Sequence, residues 1–164
     1  MRIILLFIVM MCAGAASAQS AYEMKGIVLL QPESVIRERI SASAIAPYVR
    51  SVNAAAADIF GTQKRRPAGG FLVLAVRPGK QSAVWLDIRP ALSPALAREL
   101  VTRLRAVAAP DVANGPVVFA IKVSLWGGTA PEHQMPTPSE WTDAAQKVST
   151  PLEVGQLVES IWPR

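Results

Sequence analysis

The sequence predicts an α+β domain in which helices pack on a small three-stranded antiparallel sheet, in the order α-β-β-α-β, followed by a helical C-terminal extension. Three observations lead there. Residues 71–76 (FLVLAV) form an unbroken apolar run of strand length. Residues 83–89 and 117–126 alternate side-chain character with the period of two that a strand requires. Residues 48–60 and 94–108 repeat apolar side chains at i, i+3, i+4 and i+7, which gathers them on one helical face.

Taken in order, residues 1–18 have the parts of a secretory leader. Arg2 is the charged start, Ile3 to Ala13 the apolar run, and Ala16-Ser17-Ala18 a small-residue cleavage site. The run is shorter than the roughly 20 residues that cross a bilayer, so cleavage is expected, with no stable membrane span afterwards. The single cysteine, Cys12, leaves with the leader, and disulfide or thiolate chemistry goes with it. Seventeen basic residues against twelve acidic ones give a net charge of +5. This excess is mild and scattered, which argues against nucleic acid as a partner; the one tight run, Lys64-Arg65-Arg66, suits at most weak attraction to an anionic membrane surface.

Residues 19–46 read as an N-terminal arm, with 26–30 a short strand or apolar arm and Pro32-Glu33 starting a short helix that runs to Ile40. The α+β domain is placed at 47–128. Pro47 suits the first turn of its opening helix, Val49, Val52, Ala55, Ala56, Ile59 and Phe60 form the buried stripe, and Gly61 ends it. Pro67-Ala68-Gly69-Gly70 breaks the chain before the first strand. Pro78-Gly79 then supplies the turn of a hairpin whose second strand faces Val84, Leu86 and Ile88 to the core, with Trp85 and Asp87 opposite. Ser93-Pro94 pairs an N-cap with a first-turn proline, and Leu96, Leu100, Val101, Leu104 and Val107 lie on one face of the helix that follows. After an Asn114-Gly115 turn, the last strand puts Val117, Phe119, Ile121, Val123 and Leu125 on one face and Val118, Ala120, Lys122, Ser124 and Trp126 on the other. Residues 129–164 read as a proline-containing linker and two helices opened by the capping boxes Thr137-Pro138-Ser139-Glu140 and Thr150-Pro151-Leu152-Glu153.

Chemistry is sparse in this pattern. His133 is the only histidine and sits beside Glu132 in the proline-spaced segment, so neither a histidine metal site nor a cofactor is expected. Gly69-Gly70 precedes a strand instead of opening a helix and lacks the context of a phosphate loop. Asp87 is expected on an exposed strand face. No catalytic residue is assigned, and the chain is read as a non-enzyme.

The stretch 48–126 resembles the C-terminal domain of TonB and TolA proteins. The resemblance rests on the helix ending near Phe60, the strands GFLVLAVRPG and SAVWLDIRP, the helix SPALARELVTRLRAV and the last strand GPVVFAIKVSLW. It covers about half the chain and implies a periplasmic domain whose sheet contacts other envelope proteins, in some cases by strand addition. A lasting anchor and a long proline-rich spacer are missing from the pattern, so only the binding module carries over. The expected site is the last strand as an unpaired sheet edge, read through Val118, Ala120, Lys122, Ser124 and Trp126, with an envelope protein as partner. A small periplasmic ligand-binding protein or hydrolase built around His133, Glu132 and Trp126 is the competing expectation.

Overall fold

The structure, a computed structural model, describes residues 20–63 and 66–163. The expected leader and the Lys64-Arg65 pair lie outside these residues. Among the described residues, no helix is long and apolar enough to cross a membrane.

The N-terminal arm is a full sheet strand, β1 (Tyr22–Leu29), followed by α1 (Glu33–Arg39) and α2 (Ala42–Gly61). Ser41 caps α2, its hydroxyl accepting from the Ala44 N–H, so the helix begins well before Pro47 and carries that proline inside. Next comes the hairpin of β2 (Ala68–Arg77) and β3 (Gln81–Arg89), closed by a turn in which Gly79 (φ 83°) and Lys80 (φ 58°) are both left-handed. Then follow α3 (Pro94–Arg105), with the Ser93 hydroxyl capping at Leu96 N–H, and β4 (Val117–Leu125). The C-terminal helices are α4 (Ser139–Ala145) and α5 (Val154–Ser160). The capping box of α5 is formed by Glu153 and Gln156, three residues beyond the expected Thr150 pair; α4 starts after Pro138 without a side-chain cap.

Among the described residues the sheet has four antiparallel strands in the order β1-β4-β2-β3, not three. β1 adds the fourth, because its apolar residues find the outer side of β4: Ile27 lies opposite Ile121 and Leu29 opposite Phe119. A bulge between Met24 and Gly26 takes up Lys25 and resets the alternation. Without it, Ile27 and Leu29 would point to the face opposite Tyr22 and Met24; with it, all four share one face.

Both faces of the sheet are covered, and three layers result. On one side α2 and α3 pack Val52, Phe60, Leu100 and Leu104 against Leu72, Leu74, Phe119 and Ile121. On the other, α4 and α5 bring Trp141, Leu157 and Val158 onto Phe71, Val73, Trp85 and Val118. This explains the uninterrupted apolar run in β2, which is buried along both faces. Gly69 and Gly70 belong to that strand and do not break it. A Cβ on Gly70 would stand 2.0 Å from the Asp87 carbonyl oxygen, and one on Gly69 would stand 2.0 Å from that of Thr129, so glycine allows two close backbone approaches here.

Candidate functional site

The strand expected to present the site is interior. β4 is paired with β1 along one side and β2 along the other, so its backbone groups are committed to ladders and no incoming strand can reach them. Val118 and Ala120 are fully buried beneath the C-terminal helices, and Lys122 is half-buried, its ammonium 6.0 Å from the Phe71 ring centre. Ser124 is buried and donates its hydroxyl to the Gly128 carbonyl. Trp126 leaves this set entirely. The strand ends at Leu125, and the left-handed backbone of Trp126 (φ 50°) turns its indole to the other face. There its ring packs edge-on to Phe60 at 5.3 Å and its Nε1–H donates to the Phe60 carbonyl at 3.2 Å. The exposed-edge reading of these five residues is therefore corrected: pairing of β1 on the outside of β4 removes the edge.

His133, Glu132 and Trp126 are likewise not brought together. His133 lies over Phe71, ring centres 5.2 Å apart, on the face opposite the Trp126 indole, and its Nε2 is 3.4 Å from Asp87 Oδ2. Asp87 itself is buried, contrary to the expected exposed position. The reason is the segment 128–137, which crosses the end of the sheet as a strap and not as a free linker. Thr137 N–H donates to Asp87 Oδ2 at 2.8 Å, Arg89 Nε lies 3.6 Å from Asp87 Oδ1, and the Thr129 carbonyl fills the space over Gly69. Asp87 thus serves as the pin that fixes this strap, a charge-assisted hydrogen bond in a sheltered place. Asp87→Ala is expected to cost about 1–3 kcal/mol, through loss of the acceptor for a sheltered amide. Faster hydrogen exchange at the Thr137 amide would accompany it, and unchanged exchange there would refute the pin. Among the described residues no group of three or more His, Cys, Asp or Glu is placed to hold a metal ion.

Among the described residues, β1 and β3 are the edge strands of the sheet. β1 carries the more unusual surface: Met24, Ile27 and Leu29 are 39%, 47% and 47% exposed, and all three lie on its α2 face. Beside them a cavity of about 250 Å³ opens between the sheet and the first two helices, lined by Ile36, Ile40, Ile45, Val49, Val117 and Phe119. The ion-paired Glu33 and Arg37, 2.5 Å apart, stand at its rim. At the start of the strand Tyr22 stacks on Phe60 at 5.9 Å and donates its hydroxyl to Asn53, and burial raises its phenol above the ordinary tyrosine range. One end of β1 is therefore held by the core, while the other end, from Gly26 to Leu29, combines an open backbone edge with an apolar groove. The run 26–30 was legible as apolar in the sequence, but its exposure follows only from its position outside β4.

No family model, no curated protein and no solved structure matches this chain.

Proposed function

We propose that this chain is an exported, periplasmic interaction module without enzymatic activity, which binds an extended segment of an envelope protein along the outer edge of β1. The observation that carries the reading is the row of Met24, Ile27 and Leu29, exposed on an edge strand and flanked by the apolar cavity. An incoming strand would gain main-chain hydrogen bonds from the β1 edge and would bury every second side chain against that row, the strand-addition mode of recognition. Lys25, at the bulge and 2.5 Å from Glu23, places charge on the edge, a feature that discourages indiscriminate pairing. The leader pattern read in residues 1–18 of the sequence and the resemblance to TonB and TolA C-terminal domains support the location and the type of partner.

The test is crosslinking in intact envelopes with a photoreactive residue at Ile27. A discrete envelope-protein adduct is expected, reduced at least about tenfold by Leu29→Asp, since a buried apolar contact replaced by a charge forfeits roughly 1.4 kcal/mol or more. Leu29 is only about half buried, at 47% exposure, so thermal unfolding of the variant should stay close to that of the parent. Absence of any adduct at Ile27, with the chain free in the periplasmic fraction, would refute the module.

A further inference from the structure

The opposite edge carries a second trough of different chemistry. A hollow of about 670 Å³ follows β3, lined by Val84, Leu86 and Ile88 from one face of the strand and by Trp85 from the other. Residues of both faces can line one hollow only where it runs along the strand's outer edge, the side that no other strand occupies among the described residues. Its walls are α3, through Arg98 and Val101, and the C-terminal elements, through Glu140 and Ile161. Arg105 and Pro163 also line an adjoining hollow of about 440 Å³ at the start of β3, where Arg77 and Lys80 join them.

This end of the trough is strongly cationic. The Arg77 guanidinium is held by Gln81 at 2.8 Å, by Glu159 at 3.4 Å and by the Trp162 ring at 4.2 Å. Among the described residues Lys80 and Arg105 have no ion-pair partner, and both are exposed. An apolar slot along the last strand of the sheet, ending in two cations without an ion-pair partner among the described residues, is complementary to an extended chain with apolar alternate side chains and an acidic end.

We propose that the outer edge of β3 is a second strand-addition site, selective for an extended peptide whose acidic residue or terminal carboxylate meets Lys80 and Arg105. The site rests on the β3 edge alone, so its fate is separate from that of β1. Occupied together, the two edges would make the chain a bridge between two partners on opposite sides of one four-stranded sheet.

The test is selection of roughly seven-residue peptides from a random library against the full chain carrying Ile27→Asp and Leu29→Asp, which silences the β1 groove. Peptides with alternating apolar residues and Asp or Glu concentrated at one end are expected, and each should bind the unsubstituted chain equally well. Lys80→Glu with Arg105→Glu should weaken them at least about tenfold, and Lys80→Gln with Arg105→Gln by less; circular dichroism confirms the fold of both pairs. Three results would overturn the proposal: no selected peptides, peptides without acidic enrichment, or affinity indifferent to the charge reversal. Capture of the chain by phosphatidylglycerol vesicles through Lys80 and Arg105, with no peptide recovered, would assign these cations to a lipid surface instead.

Discussion

Phe60→Ala is expected to lower the unfolding free energy by about 3–5 kcal/mol. Phe60 is fully buried at the end of α2, and it joins three parts of the chain that are remote in sequence. Its ring is stacked on Tyr22 at the start of β1, with 6° between the planes, and meets the Trp126 indole edge-on just after β4. Truncation to alanine leaves a cavity between two aromatic rings whose own positions are fixed by backbone pairing, so little relaxation is available to refill it. Aromatic pairs of this kind also contribute about 0.5–1.5 kcal/mol each beyond the area they bury. Denaturant unfolding with an unchanged slope would measure the loss. A decrease below about 1 kcal/mol would mean that the site collapses freely and that Phe60 does not clamp β1 to α2. The same variant should loosen the start of β1, which would show as faster exchange of the Trp126 amide, whose hydrogen goes to the Ala21 carbonyl.

Ala120→Pro is expected to abolish folding and not merely partner binding. Ala120 lies opposite Val28 on one side and Val73 on the other, in the middle of an interior strand with no exposed surface. Proline removes a main-chain donor and adds ring atoms where none fit, a cost of more than about 3 kcal/mol, and it occurs in sheets essentially only at edges and bulges. Total stabilities of single domains are about 5–15 kcal/mol, so this change together with overpacking beneath α5 consumes most of the margin. Far-ultraviolet circular dichroism should show a largely unfolded chain at room temperature. A folded variant with a native melting profile would contradict the central position of β4. Proline within the free edge of β1, at Val28, provides the contrast: its neighbour on the inner side is β4 alone, so the penalty should be smaller.

Much of the fold is written locally. The β2–β3 hairpin follows from an apolar run, a Pro-Gly turn and an alternating run, although β2 begins at Ala68, inside the expected breaker, and β3 already at Gln81. The α3 helix follows from Ser93, Pro94 and the Leu96, Leu100, Leu104 stripe, each acting within one or two helical turns. Such signals depend on dihedral preference and on side-chain periodicity, which neighbouring residues carry by themselves. The helix start is a partial exception: Pro47 looked like a first-turn residue, but Ser41 offered a cap nearer the N-terminus and the proline was accommodated inside α2.

What the sequence by itself determined is the α+β class, the β-hairpin, the helices that flank it and the two faces of β4. Only the tertiary structure decided which strand lies in the middle, because a backbone ladder is chemically the same for every strand and nothing within β4 states who its neighbours are. The apolar segment at residues 26–30 paired with residues 118–122 across some ninety intervening positions, and that one choice turned the expected binding edge into an interior strand and moved the open edges to β1 and β3. The site residues changed for the same reason. Trp126 was assigned to a face by alternation, but a single left-handed residue ended the alternation and sent the indole to Phe60. Asp87 looked solvated until the strap at 128–137 came back over the sheet and placed Thr137 on its carboxylate. Periodicity reports which side of its own element a residue occupies; what covers that side depends on contacts between segments far apart in the chain, and these arise only when the whole molecule packs.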